Sequence, residues 1–151
     1  MAPKLVPAFT AQVTVAPAQE LGETPEGRRR IVPIMGGSVA GARLQGRILP
    51  GGADWQLIRS DGVAVLYARY TIEAADGALV AVVNRGYRHG PPEIMQRLVA
   101  GEAVDPAAYY FRTSPVFETG AAAHRWLTRT VFIGVGIRHP TRVDLEVFEV
   151  A

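Results

Sequence analysis

The sequence predicts one all-β domain over residues 1–151, an antiparallel β-barrel of about eight to ten strands with one short helix over an end. Three observations predict it. Polarity alternates with period two along most of the chain. Gly-rich turns punctuate the apolar runs. One segment alone carries both start and stop marks of a helix.

The clearest strand is 63–75, where Ala64, Leu66, Ala68, Tyr70 and Ile72 share one face and Val65, Tyr67, Arg69, Thr71 and Glu73 the other. The same reading gives strands near 9–17, 29–35, 42–49, 54–60, 78–88, 108–118, 129–138 and 142–150. Turns fall between them at Pro50-Gly51-Gly52, Asp61-Gly62, Asp76-Gly77 and His139-Pro140. Asp61-Gly62 and Asp76-Gly77 read as two-residue hairpins, which makes 54–60, 63–75 and 78–88 an antiparallel meander. So many short strands at hairpin spacing suit a closed barrel or a sandwich, and the barrel is the architecture expected. Leu21–Gly27 reads as a loop, and Pro115 predicts a bulge or an edge position in its strand.

Pro91-Pro92 opens the helix, Glu93 lies in its first turn and Gly101 stops it. Ile94, Met95 and Leu98 share a face suited to covering a barrel end. A shorter turn is expected around 121–126.

Composition limits the function. Hydrophobic residues make up 48% of the chain and charged residues 20%, a globular balance. There is no cysteine, which excludes disulfides, thiol nucleophiles and thiolate metal sites and suits a reducing compartment. The net charge is +2, and the only basic run, Arg28-Arg29-Arg30, reads as a solvated strand edge. No nucleic-acid partner is therefore expected. Leu5–Gln19 is uncharged, but Pro7, Pro17 and the alternation of Ala11–Val15 make it a strand rather than a membrane span or a signal peptide. A cytoplasmic protein without membrane contact is expected.

Familiar cofactor and metal motifs are missing. Gly36-Gly37-Ser38-Val39-Ala40-Gly41 has neither phosphate-loop nor dinucleotide spacing, and Gly134-Val135-Gly136 reads as close packing inside a strand. His89, His124 and His139 lie far apart, so no metal and no cofactor are expected. What remains is polar residues on apolar strands. Alternation puts Tyr110, Arg112, Ser114 and Glu118 on one face of 108–118, with Tyr109, Phe111, Thr113 and Phe117 on the other. Arg69 shares a strand face with Tyr67, Asp54-Trp55 follows a Gly-Gly turn, and Asn84–Gly90 is dense in polar groups.

Six segments together resemble the DUF3237 family, also called UPF0311: Gly51-Gly52-Ala53-Asp54-Trp55, Ala68-Arg69-Tyr70, Asp76-Gly77-Ala78, Asn84-Arg85-Gly86, Tyr110-Phe111-Arg112-Thr113 with Phe117-Glu118-Thr119, and Trp126-Leu127. The resemblance runs from about Phe9 to Val150. It implies a calycin-like barrel and, from some fungal members, a cofactor-free cyclase that adds a hydroxyl to an activated alkene. It also implies pocket positions at Asp54, Trp55, Arg69, Asn84, Arg85, Tyr110, Arg112, Glu118 and Trp126. Thr128 departs from the Asn more usual after Trp-Leu in that family.

The expected function is a cofactor-independent enzyme that moves a proton on a small aromatic or unsaturated carbonyl compound, as an isomerase, cyclase or lyase. Asp54 or Glu118 would be the general base, Tyr110 the acid or oxyanion donor, and Arg112 and Arg69 the anion clamps. Trp55, Asn84, Arg85 and Trp126 would contact the ligand. The rival expectation is a non-catalytic binding protein for a small hydrophobic or phenolic ligand. Strands apolar on both faces, such as Val131-Phe132-Ile133 and Val80–Val83, add the expectation of a homo-oligomer, most simply a dimer.

Overall fold

The computed structural model describes all 151 residues as one ten-stranded antiparallel sheet closed into a barrel. The strands are β1 (Leu5–Val15), β2 (Gln19–Thr24), β3 (Gly27–Ala40), β4 (Gly46–Ile48), β5 (Gly52–Ile58), β6 (Ala64–Ala74), β7 (Leu79–His89), β8 (Tyr110–Glu118), β9 (Phe132–Arg138) and β10 (Arg142–Val150). Neighbours run β1-β10-β9-β8-β7-β6, then β4 and β5 together, then β3, which pairs back onto β1. β4 and β5 share one position between β3 and β6, so eight strand positions close the barrel and β2 lies outside on β3. Eight positions give an interior just wide enough to be filled by side chains or to hold one small ligand.

Period two holds through the wall. On β8, Phe111, Thr113, Pro115 and Phe117 are buried and Tyr110, Arg112, Ser114, Val116 and Glu118 are exposed. Pro115 makes no bulge: β7 and β8 stay in one unbroken register from Ala81–Glu118 to His89–Tyr110. Its missing N–H costs nothing in the ladder, because β8 pairs with β9 only at Arg112 and Thr113.

Two other expectations are corrected. The segment expected as a loop at 21–27 is a hairpin, in which Glu20 forms ion pairs with Arg28 and Arg30 across the β2–β3 ladder. Its exposure on both faces hides the alternation by which strands are recognised. The 42–49 strand shrinks to β4 because Leu44 turns into the core, only 1% exposed, while Arg43 lies over the Trp126 ring at 3.8 Å.

The meander β5–β6–β7 forms as expected, but its turns hold three residues rather than two. Arg59 pairs with Val63 and Ala74 with Ala78, while Gly62 and Gly77 alone take positive φ of 86°. Asp61 and Asp76 stay right-handed and accept from the N–H two residues ahead, a type I turn closed by a left-handed Gly.

The interior divides in two. A large apolar cluster that includes Phe9, Leu44, Ile72, Val80, Phe117 and Phe132 fills one end, covered by Leu127 and Trp126 from the 3-10 segment Ala122–Arg129. A small cluster of Ala64, Leu66, Tyr109 and Phe111 fills part of the other end beneath helix α1 (Pro92–Val99), whose Leu98, Ile94 and Met95 face it. The helix therefore covers a barrel end as its apolar stripe predicts. No helix is long and apolar enough to cross a membrane.

Candidate functional site

A cavity of about 130 Å³ lies between the two clusters, touching Val13, Ile34 and Leu145 of the large one and Leu66 and Phe111 of the small one. Of its lining residues only Pro17 and Pro140 are exposed, so it opens between the β1–β2 and β9–β10 turns.

Sheet register assembles its polar wall. Asp54 on β5 pairs with Ala68 on β6, which pairs with Asn84 on β7. The two polar side chains thus face inward about 10 Å apart, two strand spacings, with only a methyl group between them. Period two then turns Gln56 to the same side as Asp54, with its register partner Arg30, and turns Arg88 to the same side as Asn84, one full strand repeat beyond Gly86. Thr113 and Arg138 enter from β8 and β9. Close approach preserves this space: a Cβ on Gly136 would lie 2.5 Å from the Phe111 ring, and one on Gly134 would lie 2.2 Å from Thr113 Oγ1.

Asp54 is held through both oxygens. Gln56 Nε2 donates to Oδ2 at 2.9 Å, and the Tyr67 N–H donates to Oδ1 at 2.9 Å. Burial nevertheless raises its pKa above the ordinary carboxylate value, against the opposing pull of those two bonds and of Arg88 and Arg30. Arg88 is 3% exposed, and its pKa is brought down to about 10 by burial, with repulsion from Arg138 adding to it. Arg138 is lowered in the same way, by burial and then by Arg30. The Tyr70 phenol, also on the wall, is pushed upward by burial and stays neutral.

Four polar atoms of this wall are buried without a hydrogen-bond partner: Asn84 Oδ1, Arg88 Nε, Thr113 Oγ1 and Arg138 Nη1. Buried polar groups in folded proteins are nearly always paired, so four orphans around one cavity mark a place where a ligand or ordered water completes the bonding. The single orphan elsewhere is His124 Nδ1.

Of the nine residues singled out in the sequence, the structure puts Asp54 and Asn84 in the cavity. Trp55, Arg69, Arg85, Tyr110, Arg112 and Glu118 stand on the outer wall of β5–β8, exposed to solvent. There Arg85 lies over Tyr67, Arg112 over Tyr110, and Tyr110 stacks on His89. Arg112 and Glu118 do share a face, but it is the outer one. Trp126 packs edge-on to Phe132 at the filled end. Arg30, Gln56, Arg88, Thr113 and Arg138 were not singled out. The alternation Val80, Val82, Asn84 already points Arg88 inward, so that arginine was within reach of the pattern.

The histidines lie apart, His124 on Asp76 and His139 on Asp144, and no three His, Asp or Glu side chains converge as a metal-ligand set. The lumen instead holds a carboxyl group of raised pKa and, on the facing wall, guanidinium and amide groups.

The family model described as "Protein of unknown function (DUF3237)" matches residues 3–150. A UPF0311 protein of Rhodopseudomonas palustris is 46% identical over 142 residues, covering 94% of this chain and 93% of its own. A crystal structure of a conserved protein of unknown function from Rhodopseudomonas palustris superposes with a TM-score of 0.95 at 41% identity, over 100% of this chain and 99% of that one. A crystal structure of an enzyme from Penicillium herquei shares the fold at a TM-score of 0.74 and 21% identity, over 100% of this chain and 96% of that one. Inward-facing Asp54 and Asn84 lie within two of the six segments that carry the likeness, and the match spans the whole barrel. The chain belongs to the DUF3237 (UPF0311) family.

Proposed function

We propose that the barrel lumen is the active site of a cofactor-independent enzyme that moves a proton on a small unsaturated or aromatic carbonyl compound. The observation that supports this most is Asp54, a buried carboxyl of raised pKa on the wall of a cavity ringed by unpartnered polar atoms. In the proposed step, ionised Asp54 takes a proton from the carbon beside the substrate carbonyl. The C–H electron pair becomes a carbon–carbon double bond as the carbonyl π pair moves onto oxygen, which becomes an enolate oxyanion held by the Asn84 amide N–H. Protonated Asp54 then returns the proton to another carbon of the conjugated system, and the carbonyl re-forms. Burial raises the Asp54 pKa, which makes its carboxylate a stronger base than an ordinary one exposed to water.

The fold carries an enzyme in the Penicillium herquei protein, which makes catalysis in such a barrel compatible with the architecture. The test is deuterium exchange. In heavy water, the protein is expected to label small enolisable carbonyl compounds at the carbon beside the carbonyl, and Asp54→Asn is expected to abolish labelling while leaving affinity within about tenfold. Binding of such compounds without exchange would overturn catalysis. It would support the second reading, a binding protein for a small ligand, which the cavity's apolar remainder favours.

A further inference from the structure

The charges of the lumen do not balance. Arg30 is already matched, its Nε donating to Glu20 Oε1 at 2.8 Å. Arg88 and Arg138 belong to no ion pair. Each also carries a buried guanidinium nitrogen without a hydrogen-bond partner, Nε in Arg88 and Nη1 in Arg138. The one carboxylate on this wall, Asp54, is satisfied by an amide and a backbone N–H and not by either guanidinium. Two cations facing one cavity and each other are costly to bury, and the cost is relieved only by an anion between them.

We infer that the lumen takes a small monocarboxylate whose carboxylate group bridges Arg88 and Arg138. This rests on the lumen being the substrate site, as proposed above, and names the class of substrate. A planar carboxylate accepts paired N–H bonds from guanidinium forks. A doubly charged phosphate would place more negative charge beside Asp54, so a monoanion fits the site better. Size sets the remainder of the molecule. An apolar cavity of about 150 Å³ holds one benzene ring, so this one, at about 130 Å³ and open at its mouth, takes nothing larger than a single ring or a short unsaturated chain. That part would lie against Leu66, Phe111 and Leu145, with the reacting carbon toward Asp54. Arg138 precedes His139-Pro140 at the opening, so the anion meets it on entry.

Calorimetric titration with benzoate and crotonate, each against its uncharged amide, tests the inference, with backbone NMR shifts of Asn84, Thr113 and Phe111 reporting occupancy of the lumen. The acids are expected to bind at least about tenfold more tightly than the amides, and Arg88→Met and Arg138→Met are each expected to erase that preference. Should Arg88→Met fail to fold, Arg138→Met, nearer the opening, carries the test. Acid and amide binding equally, with lumen shifts, would overturn the carboxylate assignment and leave the lumen site standing. Acids preferred equally by the wild type and both variants would overturn the arginine bridge. No lumen shifts with any of the four compounds would overturn the lumen site itself.

Discussion

Gln56 donates to Asp54 across 2.9 Å from two residues further along the same strand, so β5 supplies both the carboxyl group and the amide that orients it. Gln56 in turn accepts from Arg30 Nη1 at 3.4 Å, and Arg30 reaches Glu20 outside the barrel. The second Asp54 oxygen takes the Tyr67 N–H where β5 and β6 pair at Asp54–Ala68 and next at Leu57–Val65. The carboxyl is thus fixed in direction, and burial decides its acidity.

That burial predicts the pH dependence of stability. A carboxyl whose folded pKa is raised favours the native state fully below the ordinary value of 3.8, and this contribution is lost as pH rises through the folded value. The amide of Asp54→Asn would set an NH2 group against either the Gln56 or the Tyr67 donor, a cost that does not change with pH. Asp54→Asn is therefore expected to gain stability relative to the parent between pH 3 and pH 7. Thermal unfolding at both values checks it. A melting difference between variant and parent that is the same at both pH values, or that shifts against the variant at pH 7, would contradict the assignment.

Asp61, Asp76 and Asp144 act in the opposite sense. Asp61 is held down to about 2, mainly by Arg59, and Asp76 is lowered, mainly by the Ala78 N–H. Asp144 is lowered by Arg142 and His139 against its partial burial. Their contributions are present above the ordinary value and are lost as pH falls through each folded value. In Asp54→Asn, stability is therefore expected to fall monotonically on acidification from pH 5 to pH 2, followed by circular dichroism.

Arg88→Met is expected to leave the empty protein at least as stable as the parent, because it removes a buried cation that has no ion-pair partner. Ligand preference and stability should therefore move in opposite directions, the usual exchange at a functional site. Urea unfolding without ligand measures it, and a marked loss of stability would show that Arg88 is matched within the protein.

Gly136→Ala is expected to destabilise the fold by about 1–3 kcal/mol through overpacking, since its Cβ would meet the Phe111 ring at 2.5 Å. Phe111→Leu in the same chain should recover part of that loss. Additive effects in this double-mutant cycle would show that the two positions do not compete for the same space.

The outer wall leads us to propose a homodimer. Val116 and Val131 are each 65% exposed, and Tyr87 and Tyr110 also stand in solvent on β7 and β8. A second copy laid on this face by a twofold axis would cover them. Light scattering at micromolar concentration is expected to give twice the chain mass, and a monomer would overturn the proposal.

Local signals were enough for most of the barrel wall. Alternation from Ala64 to Ile72 placed β6, Asp-Gly pairs placed the meander, and Pro91-Pro92 with Gly101 bounded α1. These features rest on neighbours within a few residues, where strand period, turn chemistry and capping act. The β2 hairpin was not legible because neither of its faces is buried, so no hydrophobic pattern records it. For the site, period two sorted each strand into two faces but could not say which face was the lumen. Tyr110, Arg112 and Glu118 were grouped correctly, and closure of the sheet then turned the group outward. The same closure brought Arg30, Arg88 and Arg138 from β3, β7 and β9 around Asp54 on β5, separations of up to 108 residues that no local pattern encodes. The sequence by itself determined which side chains travel together along a strand. The tertiary structure alone decided which sets meet inside, because that depends on how eight strand positions curve and close.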